Sequence, residues 1–331
     1  MALIISTLVA LVSLVSAATF SATAKTNVAV YWGQGSYQAR LVETCMNPNV
    51  DIVILAFVNM FPDQQGSGGY PGTNFGNACG TCKYIGPDID TCQKTYGKKV
   101  LLSLGGGYPL NYFIAGPQRA VDFAQFMWGA FGPPTEAWFN AKKPRPFGNA
   151  IVDGFDFDIE SEIVPAPTYN GVTINNYMTR GYAKMIQTFK NDLFPKDTTK
   201  NYYLSGAPQC AVPDAHLGTV VQQAWFDFLF IQFYNTASCS ARAGVQHIQG
   251  KSKNDIGYNN WANVNFYNKN VKLYIGLPAN VNASGSSDYY LPPQDAYTLF
   301  KKYLPDSKFG GAMLWEATYG MNNVVCARLS T

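Results

Sequence analysis

The chain has 331 residues, of which 47% are hydrophobic and only 14% charged, and its formal net charge is +3. A charged fraction below the roughly 25% of ordinary soluble domains, set against a large apolar complement, excludes disorder and calls for an extensive core. With so small a net charge and no cluster of Lys and Arg, nothing resembles the electrostatic footprint of a nucleic-acid binder.

Residues 1–17 hold an uncharged apolar stretch that ends on Val15-Ser16-Ala17, a small-residue pattern suited to cleavage of a secretion signal. The stretch is shorter than the roughly 20 apolar residues needed to span a bilayer, and no later segment is long enough. The expectation is a secreted protein, extracellular or in the cell wall, with no membrane segment. Seven cysteines in such a chain imply disulfides, with at least one thiol left over. Cys79-Gly-Thr-Cys82 has the spacing of a redox or zinc motif, but it lies among Gly, Pro and Asn and the only histidines are His216 and His247. A structural staple is the preferred reading. Asn282-Ala283-Ser284 is a glycosylation sequon.

Eight short apolar or β-branched runs follow one another: Asn27–Trp32, Asp51–Val58, Val100–Leu104, Val152–Ile159, Tyr202–Ala207, Phe226–Tyr234, Val271–Leu277 and Gly311–Trp315. Between most of them lie segments of helical periodicity, such as Gln118–Phe131 and Tyr177–Phe194. Phe61–Thr95, after the second run, reads as loop elaboration. Continuous apolar strands alternating with helices predict an α/β fold, a single (β/α)8 TIM barrel over residues 18–331, with an open doubly wound sheet as the alternative. In such a barrel the active site lies at the C-terminal ends of the strands.

The fourth run reads Val152-Asp153-Gly154-Phe155-Asp156-Phe157-Asp158-Ile159-Glu160, four carboxylates in an otherwise apolar segment. Alternation puts Asp156, Asp158 and Glu160 on one face and Phe155, Phe157 and Ile159 on the other. Three acids stacked on a buried face repel one another and lose hydration, which raises some of their pKa values and leaves a proton for general acid catalysis. Asp153 has the opposite parity and reads as structural. A metal or ion-pair cluster is the bland alternative, disfavoured because no His is near.

The Asp-x-x-Asp-x-Asp-x-Glu pattern resembles the signature of glycoside hydrolase family 18, the chitinases and their relatives. Ser103-Leu104-Gly105-Gly106 resembles the family's Ser-x-Gly-Gly motif, and its small residues let backbone approach the acids or substrate. Val30-Tyr31-Trp32-Gly33-Gln34 and Ile231-Gln232-Phe233-Tyr234-Asn235 look like the plant class III type of the family and its fungal counterparts. This resemblance implies a fungal endochitinase, acting as a monomer on chitin or chitooligosaccharide without metal or cofactor. It implies that Glu160 is the acid and base, that the substrate's own acetamido group is the nucleophile, that Asp158 orients that group, that Asp156 shares a proton with Asp158, and that Tyr234 donates to the acetamido oxygen. It places Tyr31, Gln34, Phe57, Gly106, Gln232 and Asn235 at sugar-binding positions and Trp315 beneath the sugar at the scissile bond. It also pairs Cys45 with Cys92 and Cys210 with Cys239, makes Cys79 with Cys82 a tighter pair than plant members have, and leaves Cys326 single. A catalytically silent chitin binder, an endo-β-N-acetylglucosaminidase and a lysozyme are the competing functions.

Overall fold

The computed structural model describes residues 20–76 and 83–321. The expected secretion signal, Cys79, Cys82 and Cys326 lie outside the described residues. Eight parallel strands close into a barrel: β1 (Asn27–Trp32), β2 (Ile52–Met60), β3 (Lys99–Gly105), β4 (Gly154–Asp158), β5 (Tyr203–Gly206), β6 (Phe228–Gln232), β7 (Lys272–Pro278) and β8 (Phe309–Trp315). Each pairs with the next in chain order and β8 returns to β1, so the open-sheet alternative is excluded. Every expected run is a strand, with ends shifted by at most two residues.

The strands are apolar on both sides because both sides are covered. Side chains of one parity, among them Ala29, Ile54, Leu101, Phe230 and Tyr274, fill the barrel, while Val30, Val53, Leu102, Phe155 and Leu204 face the outer helices. Near the N-terminal end, Phe20 packs edge-on against Tyr203 and Phe228. At that end too, Asp51, Asp153 and Asp227 precede β2, β4 and β6 and accept the backbone N–H of Val28, Val100 and Leu204 at 2.8, 2.8 and 2.9 Å. Asp153 also pairs with Lys200 at 2.7 Å and accepts from Gln93, so it fastens the opposite end of the strand from Glu160.

Two expectations need correction. Phe61–Thr95 is not loop alone, because Ile85–Lys94 within it is a helix that buries Ile85, Ile89 and Cys92. Gly86 and Pro87 obscured it, although Pro in a first turn forfeits no intrahelical hydrogen bond. The helix expected from Tyr177 starts at Tyr182, since Thr179 and Arg180 donate to the Asn176 carbonyl in a turn of their own. It then widens into a π turn at Phe189–Leu193. Disulfides Cys45–Cys92 and Cys210–Cys239 are both formed, with Cα separations of 5.3 and 5.8 Å. The first joins the helix after β1 to the helix after β2. No described helix is long and apolar enough to cross a membrane.

Candidate active site

Strand register assembles the site before any side chain is considered. Asp156 on β4 lies beside Ser103 of β3 and Ser205 of β5, and Asp158 lies beside Gly105. Asp156 is fully buried; its Oδ2 accepts the hydroxyls of Ser103 at 2.6 Å and Tyr31 at 2.8 Å, and its Oδ1 accepts that of Ser205 at 2.6 Å. Burial raises its pKa, and those three donors act in the opposite sense by favouring the ionised form.

Asp158 stands one step nearer the mouth and is 4% exposed. Burial first, then the charges of Glu160 and Asp156 and a hydrogen bond with Glu160, push it well above the ordinary carboxyl range. Its neutral form is thereby favoured relative to that of a solvated carboxyl. Gln232 Nε2 donates to Asp158 Oδ1 at 2.9 Å and lies 3.3 Å from Glu160 Oε1 and 3.0 Å from the Ala207 carbonyl. Its own carbonyl accepts from Gln209 Nε2 at 3.2 Å, which turns the amino end of the amide toward the acids.

Glu160 follows the end of β4 and is half-buried. Its backbone N–H donates to the Tyr112 hydroxyl at 2.7 Å, and that hydroxyl donates to the Gly106 carbonyl at 2.8 Å. Gly105 and Gly106 have φ of +110° and +89°, and a Cβ on them would stand 2.1 Å from the Asp158 carbonyl and 2.7 Å from the Phe57 ring. Only glycine allows β3 to end this close to the acids. Behind Glu160, His216 Nε2 donates to the Ser161 carbonyl at 2.9 Å.

Aromatic rings form the floor. Phe57 and Trp315 stack with centroids 5.9 Å apart and planes 20° apart, and Tyr31 lies 5.5 Å from Trp315. The Ala56–Phe57 and Trp315–Glu316 peptides are cis. Trp315 keeps part of its surface exposed, whereas Tyr234 is buried near Asp158 and Glu160; burial and those charges raise its pKa, so its hydroxyl stays protonated as a donor.

Three of the residues expected at sugar-binding positions also make contacts within the fold. Tyr31 is 1% exposed and beneath the floor, its hydroxyl already on Asp156. Gln34 Nε2 donates to the carbonyls of Ala56 and Asn74, both at 2.9 Å. Asn235 is exposed at φ +59°, and its Oδ1 accepts the Gly285 N–H at 2.8 Å, tying together the loops after β6 and β7. Sequence reading missed Tyr112, Ser205 and Gln209. Ser205 had a signal, being a polar residue of inward parity in an apolar strand; Tyr112 and Gln209 had none. Among the described residues no group of His, Cys, Asp and Glu is arranged to hold a metal ion.

The barrel with graded carboxyls over an aromatic floor has the organisation of a glycosidase. Residues 27–294 match the model of glycosyl hydrolases family 18, and the chain belongs to that family. Endochitinase A of Emericella nidulans is 43% identical over 341 residues, covering 97% of this chain and 33% of that protein. Endochitinase A of Aspergillus niger is 44% identical over 324 residues, covering 92% of this chain and 24% of that protein. The chain thus spans a third or less of these curated relatives. Among solved structures, the xylanase and alpha-amylase inhibitor protein XAIP-II of Scadoxus multiflorus matches with a TM-score of 0.72 at 30% identity, covering 92% of this chain and 97% of that one. The ICChI chitinase of Ipomoea carnea matches with a TM-score of 0.70 at 26% identity, covering 91% and 97%.

Proposed function

We propose that the protein is a secreted endochitinase whose residues 18–331 form one catalytic unit hydrolysing β-1,4-linked N-acetylglucosamine polymer. The observation that carries this reading is the graded series at the end of β4: Asp156 held by three hydroxyls, Asp158 pushed above the ordinary carboxyl range by burial and its acidic neighbours, and Glu160 half-buried at the mouth. The endochitinase relatives support it, and the two disulfides support an oxidising, extracellular setting.

In this reading Glu160 protonates the glycosidic oxygen as the bond to the anomeric carbon breaks. The carbonyl oxygen of the substrate's 2-acetamido group attacks that carbon, giving an oxazolinium ion; water then opens the ring and gives Glu160 its proton back. Asp158 orients the acetamido N–H and stabilises its growing positive charge, and the Tyr234 hydroxyl donates to the acetamido oxygen, holding a near-attack geometry. Asp156, fixed by its hydroxyls, shares a proton with Asp158 and tunes its state. No enzyme nucleophile takes part, which departs from the usual two-carboxylate scheme.

A fold shared with inhibitor proteins leaves a silent binder as the rival, and activity has to be argued from the site. The complete set of Glu160, Asp158, Asp156 and Tyr234 favours an enzyme. Incubating the protein with chitin oligosaccharides, peptidoglycan and a high-mannose glycopeptide tests the reading: cleavage of the first is expected. Cleavage of the glycopeptide alone would make it an endo-β-N-acetylglucosaminidase, cleavage of peptidoglycan alone a lysozyme, and binding without cleavage a lectin.

A further inference from the structure

We propose that Glu316 is a positioning residue for the Trp315–Phe57 floor, acting through the loop that follows β1. The inference rests on the reading of that floor as a sugar platform. Glu316 follows Trp315 directly at the end of β8 and is 0% exposed. Its Oε1 accepts the Tyr319 N–H at 3.0 Å, while its Oε2 is buried without a hydrogen-bond partner among the described residues. Nothing in the hydrolytic scheme uses this carboxyl.

What it does is visible in its packing. Gly35 is pressed onto it so closely that a Cβ there would stand 2.2 Å from Glu316 Oε1 and 2.6 Å from Thr318 Cβ. The neighbouring Gln34 donates to the Ala56 and Asn74 carbonyls, and Asn74 exchanges backbone hydrogen bonds with Phe57. One carboxyl therefore supports both rings, Trp315 through the chain and Phe57 through Gly35 and Gln34.

The surroundings suit a neutral carboxyl. Tyr319 places its hydroxyl 3.4 Å from Ser36. The helix Leu41–Cys45 packs near this turn through Thr44 and Met321, but Arg40 at its start pairs with Asp88, and Glu43 accepts the Arg40 N–H. Burial raises Glu316 to about 7, against the opposing pull of the Tyr319 N–H and of the nearby Thr318 N–H and hydroxyl. Once ionised, a carboxylate this deeply buried draws water between Gly35 and the turn and loosens the floor.

The test is steady-state hydrolysis of a soluble N-acetylglucosamine oligosaccharide from about pH 5 to 8.5 by the whole chain, Glu316→Gln and Glu316→Ala. Wild-type KM is expected to rise about fivefold across neutrality while kcat changes less than about twofold. Glu316→Gln, a permanently neutral carboxyl mimic with the adjacent Thr318 hydroxyl as an acceptor for its amide, should show a flat KM. Glu316→Ala should show a raised KM throughout. Ligand-free tryptophan fluorescence, with Trp315→Phe identifying the source, should titrate near neutrality in the wild type and stay flat in Glu316→Gln. A wild-type pH response of KM or fluorescence that persists in Glu316→Gln overturns the proposal. If no oligosaccharide is cleaved, the functional reading fails, and the fluorescence titration still decides the role of Glu316.

Discussion

Gln232 Nε2 donates to Asp158 Oδ1 across 2.9 Å and lies 3.3 Å from Glu160 Oε1, so one neutral amide on β6 faces both acids. Hydrogen bonds to a carboxylate favour its charged form, so removing this donor raises the proton affinity of the pair. Gln232→Leu is therefore expected to move the acid limb of the kcat/KM profile to higher pH and to lower kcat by about 10–100-fold. A profile that keeps its wild-type position would detach Gln232 from the acids.

Glu160→Gln retains shape but cannot deliver a proton. Turnover should fall by about 10²–10⁴-fold, with oligosaccharide affinity nearly unchanged by calorimetry. Retention of more than about a tenth of wild-type kcat would remove Glu160 from its role.

Glu316 also makes a stability prediction with a definite sign. Its pKa rises from 4.5 in the unfolded chain to about 7 in the fold, so the folded state holds the extra proton between those values. Its contribution is most favourable below pH 4.5, declines as pH rises, and is fully unfavourable above about 7. Glu316→Gln should thus gain stability relative to wild type between acidic and mildly alkaline pH, by at most about 3 kcal/mol in urea melts. A constant difference across that range would contradict the assignment.

The disulfide Cys45–Cys92 closes a sequence separation of 47 residues away from the acids. Cys45→Ser with Cys92→Ser should lower stability by about 2–4 kcal/mol while leaving kcat unchanged below the new melting point. Loss of kcat in the still-folded variant would show that the clamp also shapes the site.

The barrel was legible because its strands are short apolar runs broken by helices, and the acids because alternation sorts Asp156, Asp158 and Glu160 from Asp153. Depth was not legible. A motif brings Tyr31 near the acids, but only the closed barrel shows it beneath Trp315 with its hydroxyl on Asp156. Tyr112 acquires its role from the path of the loop after β3, which brings its hydroxyl to the Glu160 N–H, and no local pattern encodes that meeting. Helix Ile85–Lys94 escaped because Gly86 and Pro87 resemble a loop, whereas its identity comes from burying Ile89 and Cys92.

The central claim is that cleavage proceeds through the substrate's own acetamido group with Glu160 as acid and then base. Proton NMR of the first products from a soluble N-acetylglucosamine oligosaccharide, recorded faster than mutarotation, tests it most directly. Attack by the acetamido oxygen and then by water each invert the anomeric carbon, so the new reducing end should emerge as the β-anomer. An initial excess of the α-anomer would contradict the account.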